Sequence, residues 1–177
     1  RPNKAGVRRL LNIELSHLEL MHRGLASDAP WILILEDDAH SDDIGDLARG
    51  LTGLMSGQSG GFVNLSLSFP LAELGIESLL TPSRISWAGS VPRHVLVAQR
   101  PVTNTVCAIL YSRSFMIDLV DAWQALPLTP VVPIDWKLNR VLMNLQAAND
   151  ATSMPCLFVE PAPITQLSMQ TTGILPE

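Results

Sequence analysis

Residues Trp31-Ile32-Leu33-Ile34-Leu35 run straight into Glu36-Asp37-Asp38. A short apolar run bounded by a polar cluster reads as a fully buried strand of an α/β sheet. Ligands of such sheets collect at the carboxyl ends of the strands. A dense negative charge is therefore expected where an active site would lie. Along an extended chain Glu36 and Asp38 project to one side and Asp37 to the other. Two carboxylates on one side repel each other and favour a hard divalent cation such as Mg²⁺ or Mn²⁺.

The rest of the chain supplies the layers for such a sheet. Leu11, Leu15, Leu18 and Leu25 share helical spacing and predict a helix over 7–26 with those leucines inward. Asp28-Ala29-Pro30 ends it. A second helix is predicted over 43–56, with Asp42 and Asp43 at its start, where negative charge is favoured. Phe62–Leu67, Val95–Ala98, Thr105–Tyr111 and Cys156–Val159 read as strands. Ser112 is placed to cap a helix whose inward face is Phe115, Leu119, Trp123 and Leu126. Pro127–Pro133 reads as a loop, and Asp135 opens a last helix with Leu138, Val141, Leu142 and Leu145 inward. The tail after Pro163 reads as irregular. Alternating strands and helices predict a three-layer αβα fold with a mixed, Rossmann-like sheet, forming a single domain over 1–177.

Composition narrows the function. The chain has 177 residues, 47% hydrophobic and 16% charged, which excludes a disordered polymer. The net charge is −5 and there is no basic run, so nucleic acid is not the expected partner. No apolar stretch reaches the length of a transmembrane segment. Cys107 and Cys156 both sit in apolar runs and are expected to be buried, reduced and dispensable.

The order of motifs resembles glycosyltransferase family 25, the lipooligosaccharide-type sugar transferases. The residues that carry the likeness are Leu15-Ser16-His17 on a helix, Ile34-Leu35-Glu36-Asp37-Asp38, Ala108–Arg113, Pro133-Ile134-Asp135, and Gln166 with Ser168. The resemblance implies a GT-A-like fold and transfer of a hexose from a UDP-sugar donor to a glycan or lipid-linked glycan acceptor. It implies Asp38 as the metal-holding residue with Glu36 beside it, on the metal or the ribose. Ser16, His17 and Gln166 would line the donor site, and the cofactor would be Mn²⁺ or Mg²⁺. It also implies a cytoplasmic enzyme or one peripheral to the inner membrane. Two departures stand out. Asn12-Ile13 replace the family's Gly-Cys. A whole family domain also opens with a strand and loop ahead of the Ser-His helix, so an N-terminal portion is expected to be absent, or the donor pocket to be reduced.

Glycosyl transfer needs charge stabilisation of the diphosphate leaving group and a base for the acceptor hydroxyl. Glu36 and Asp38 suit the first role and Asp135 the second. Each residue also has a plainer reading. Asp135 sits where an N-cap would contribute about 1 kcal/mol without chemistry. His17 is either a satisfied core histidine or a donor-site residue. His40 reads as a solvated loop residue, and Arg113 as a cap neighbour or a phosphate ligand. Trp123 and Trp136 read as core or helix packing, which leaves Trp87 as the candidate to stack on a sugar ring.

Two other functions compete. A non-catalytic relative would keep the fold as a scaffold. A signalling receiver module shares the Leu-Glu-Asp-Asp strand end, but needs an Asp closing a later strand, and Phe62–Ser68 ends in Ser-Phe-Pro.

Overall fold

The computed structural model describes residues 4–58, 60–69, 71–73, 75–126, 131–148 and 155–168. Helix α1 (Lys4–Ala26) leads into strand β1 (Trp31–Leu35) and the short β2 (Ala39–His40). Next come α2 (Ile44–Gly57), β3 (Phe62–Asn64), β4 (Leu80–Pro82), β5 (His94–Ala98) and β6 (Ala108–Ser112). The chain continues through α3 (Arg113–Gln124), α4 (Ile134–Ala148), β7 (Cys156–Glu160) and β8 (Thr165–Gln166).

The strands form a six-stranded mixed sheet in the order β1-β6-β3-β7-β5-β4. Only β3 and β7 pair in parallel; the other four pairings are antiparallel. Because β6 opposes both β1 and β3, and β7 follows β3, strands β1, β3 and β7 point the same way. Their carboxyl ends meet at one end of the sheet.

Helices cover both faces. Met21, Phe115, Met116, Leu119, Leu138, Val141, Leu142 and Leu145 pack α1, α3 and α4 against Ile32, Ile34, Phe62, Ile109 and Phe158. On the opposite face Leu47 and Leu54 of α2, with Trp87, pack against Val63, Leu65, Leu110, Leu157 and Val159. The three-layer arrangement expected from the alternation of elements is therefore present, built on a mainly antiparallel sheet. The inward faces expected for α3 and α4 are buried except for Leu126, which lies beyond the end of α3 and is half-buried, and Asp43 and Ser112 cap α2 and α3 by accepting from Asp46 N and Phe115 N.

Four expectations need correction. Strand β1 is not fully buried. It is an edge strand, so Ile32 and Ile34 are buried, Trp31 and Leu33 are only half-buried against the core of the other face, and Leu35 is 44% exposed. The leucine stripe of α1 is also wrong. Leu11 and Leu15 are exposed, Leu18 and Leu25 half-buried, and the fully buried face carries Glu14, His17 and Met21. A 3.6-residue period allows both stripes, and the buried one wins because its polar members find partners. Strand β3 stops at Asn64, although Ser66 still bridges to Ile164. The segment after Pro163 is not irregular throughout, since β8 pairs antiparallel with β2. Residues 127–130 of the expected proline loop lie outside the described residues.

Candidate functional site

The site grows from the end of β1. Glu36 N donates to Cys107 O at 2.8 Å, the last rung of the β1–β6 ladder. Ala39 N then donates back to Glu36 O at 3.1 Å, so residues 36–39 form a turn. Glu36 and Asp38 are thus brought together by a turn and not by extended alternation. Leu167 N donates to Asp38 O at 3.0 Å and moors the returning chain after β7 to the same turn.

The two carboxylates and the Cys107 thiol present ligand atoms that lie within 4.8 Å of one another. Burial pushes the Cys107 thiol up to about 12, reinforced by the charges of Asp38 and Glu36. At neutral pH it is a protonated thiol, with its sulfur 4.0 Å from Asp38 Oδ1. The donors offered are therefore the carboxylate oxygens, a set that fits a hard divalent cation.

Each carboxylate is held by residues far away in sequence. His17 Nε2 lies 3.4 Å from Glu36 Oε1, and Gln166 Nε2 donates to Glu36 Oε2 at 3.3 Å. Thr105 Oγ1 in turn donates to Gln166 Oε1 at 3.4 Å. Ser168 Oγ donates to Asp38 Oδ2. His17 is buried, so it is a satisfied histidine that also touches the site; the two sequence readings describe the same residue.

Glu36 stands between two lobes of a cleft. One, of about 430 Å³, is lined by Asn12, Ser16, His17, Leu20, Leu35 and Asp37. The other, of about 230 Å³, is lined by Ser68, Asn104, Thr105, Asp135 and Gln166. Ile13 and Glu36 line both. Asp135 lies in the first turn of α4, inside the helix and not at its cap, because Ile134 is already helical. Burial raises its carboxyl above the ordinary range, and the charge of Glu36 adds to the effect against backbone hydrogen bonds that lower it. A partly buried carboxylate of raised pKa in a cleft is how general bases are tuned.

The other candidates lie elsewhere. Ser112 and Arg113 sit at the opposite end of β6, where Arg113 binds the carbonyls of Leu25 and Ser27 at the end of α1. Trp87 is buried under α2, with its Nε1 donating to Asp46 Oδ2 at 3.3 Å, and is not a sugar platform. Trp123 is core, as expected; Trp136 is 67% exposed, contrary to expectation. His40 is exposed and meets Asp42 at 3.1 Å.

Sequence reasoning overlooked one group beside the cleft. Glu14 and Lys137 form a 2.5 Å ion pair between α1 and α4, and Trp123 Nε1 donates to the same oxygen at 3.3 Å. The available signal was that Glu14 lies three residues before His17, on the same helix face. Thr105 was read as the first residue of a strand, and Asn104 was given no role.

No protein-family model matches the sequence, and no curated protein matches it.

Proposed function

We propose that the chain is a metal-dependent glycosyltransferase that moves a hexose from a UDP-sugar to a hydroxyl of a glycan acceptor. One observation carries the reading. Residues 17, 36, 38, 135, 166 and 168, scattered over most of the sequence, gather at one end of one sheet. A purely structural carboxylate pair would not call for a further partly buried carboxylate in an open cleft. The mixed sheet with helices on both faces is compatible with the GT-A-like arrangement this reading implies.

Glu36 and Asp38 would hold Mg²⁺ or Mn²⁺. The cation, when bound, supplies charge stabilisation for the diphosphate leaving group. Ser16 and His17 line the lobe assigned to the nucleotide diphosphate. Asp135 takes the proton of the acceptor hydroxyl as its oxygen bonds to the anomeric carbon and the bond from that carbon to the diphosphate breaks. A positioned base of this kind contributes roughly 10²–10⁴-fold in rate.

The test is thermal stabilisation by UDP, with and without Mn²⁺, on wild type and Asp38→Asn. Wild type is expected to gain stability from UDP only with Mn²⁺, and the variant to lose most of that gain. Equal UDP affinity in both proteins with Mn²⁺ present would rule out Asp38 as the metal-holding residue, and no stabilisation of wild type by UDP with Mn²⁺ would favour a scaffold domain.

A further inference from the structure

Glu36 is held in a hydrogen-bonded ring that starts and ends on Cys107. Cys107 N donates to Thr105 Oγ1 at 3.1 Å, Thr105 Oγ1 donates to Gln166 Oε1 at 3.4 Å, and Gln166 Nε2 donates to Glu36 Oε2 at 3.3 Å. The backbone closes the ring, since Glu36 N donates to Cys107 O at 2.8 Å. Chemistry fixes each direction. An ionised carboxylate only accepts, so the amide turns its N–H to Glu36 and its oxygen to Thr105. A flipped amide would set its oxygen against a carboxylate oxygen. The amide oxygen also only accepts, so the single hydroxyl proton of Thr105 points at it.

Thr105 is itself placed from behind. It is buried, and its backbone O accepts from Thr103 Oγ1 at 2.5 Å. Asn139 on α4 clamps Thr103 in turn, accepting from its N at 2.8 Å and donating to its O at 2.7 Å. The hydroxyl that orients Gln166 therefore sits at a fixed point. We propose that Thr105 is a positioning residue for the metal carboxylate: acting through Gln166, it holds Glu36 in the orientation in which Glu36 and Asp38 take a divalent cation. The proposal rests on the metal-site reading of those two carboxylates. Groups that orient a metal ligand from behind count for roughly 10–100-fold in metal affinity. Thr105 stands one hydrogen bond further out than Gln166, so its share is the smaller one.

The test is a double-mutant cycle on Mn²⁺ affinity, read on the full chain from the electron paramagnetic resonance signal of free Mn²⁺. Thr105→Val keeps the shape and removes the hydroxyl, and is expected to bind Mn²⁺ about three- to tenfold more weakly than wild type, the worth of one hydrogen bond. Thr105→Ser restores the hydroxyl and should bind within about twofold of wild type. In a Gln166→Leu background, Thr105→Val should change Mn²⁺ affinity no further, because the residue it acts through is gone. Thr105→Val also strips the acceptor from Cys107 N, so it is expected to lower Tm in both backgrounds. A merely structural Thr105 would weaken Mn²⁺ binding in both backgrounds as well. Equal Mn²⁺ affinity in wild type and Thr105→Val, or a loss of the same size with and without Gln166, overturns the role of Thr105 and leaves the transferase reading standing. No Mn²⁺ binding by wild type overturns both. If Thr105→Val does not fold, Thr105→Cys, whose thiol is a weak donor, replaces it and the same results decide.

Discussion

Replacing Lys137 with Met should destabilise the protein far more than a surface charge change would. Lys137 Nζ lies 2.5 Å from Glu14 Oε1, with side chains only 14% and 11% exposed, and 5.9 Å from the centre of the Trp123 ring. Removing one partner of such a buried pair leaves the other charge uncompensated, at about 3–5 kcal/mol. Trp123 Nε1 still donates to Glu14 at 3.3 Å, which places the expected loss at the lower end, about 3 kcal/mol. For a chain of 177 residues each kcal/mol moves Tm by roughly 2–4 °C, so Tm should fall by roughly 6–12 °C. The double variant Glu14→Gln/Lys137→Met has no buried charge and keeps an acceptor for Trp123. It should return to within about 1 kcal/mol of wild type. Urea unfolding at pH 7 measures both, with an unchanged m-value as the check that only stability has moved. A loss under about 1 kcal/mol in Lys137→Met, or a double variant as unstable as the single one, would refute the argument.

Three further outcomes are expected. Because the Asp135 carboxyl is raised, its neutral form favours the fold, and the benefit is lost as pH rises through its folded pKa. Asp135→Asn should therefore raise Tm at pH 7, with the gain vanishing below the ordinary carboxylate value of 3.8, while UDP–Mn²⁺ binding persists and transfer is lost; a lower Tm at pH 7 contradicts the burial argument. Gly50→Ala would place a Cβ 2.1 Å from Trp87 Cζ2, so α2 must shift, at about 1–3 kcal/mol in a urea titration; no change would mean the α2–Trp87 contact is looser than described. Cys107 and Cys156 are both fully buried with thiols pushed up to about 12, so a thiol reagent at pH 8 should label neither in the native protein and both in urea.

Local patterns exposed most of the fold and few of its long-range consequences. Strand β1 was legible to the residue because Pro30 and Glu36 bound an unbroken apolar run. Its place at the sheet edge was not, since an edge strand and a central one can share the same composition. The α1 stripe failed for a related reason. Glu14 looks like a surface residue, and His17 is ambiguous, until Lys137 and Glu36 are known to face them, and those partners are 123 and 19 residues away. In the site, the acidic turn could be named from sequence, but the turn geometry that joins Glu36 to Asp38 could not, because nothing local distinguishes it from continued strand. Trp87 was misjudged in the same way. Its segment is irregular, yet Gly50 and Asp46 on α2 make a slot for the indole that only the folded chain reveals.

Glu36 and Asp135 occupy different environments, and the roles proposed for them follow from that difference. Both oxygens of Glu36 already have partners, one in His17 and one in Gln166. A carboxylate oxygen retains further lone-pair capacity, so Glu36 can add a cation without losing those contacts, but it is poorly placed to move and collect a proton. Asp135 meets backbone N–H groups of its own helix turn, and among the described residues no side chain donates to it. Its raised carboxyl lies closer to the pH at which a base accepts a proton efficiently. These contrasting surroundings suit the two different roles proposed for Glu36 and Asp135. His17 is tied to Glu36 from the helix that also carries Glu14, and Lys137 joins that helix to the one bearing Asp135. Helix α1 thus contacts both Glu36, through His17, and the helix that bears the proposed base, through Glu14.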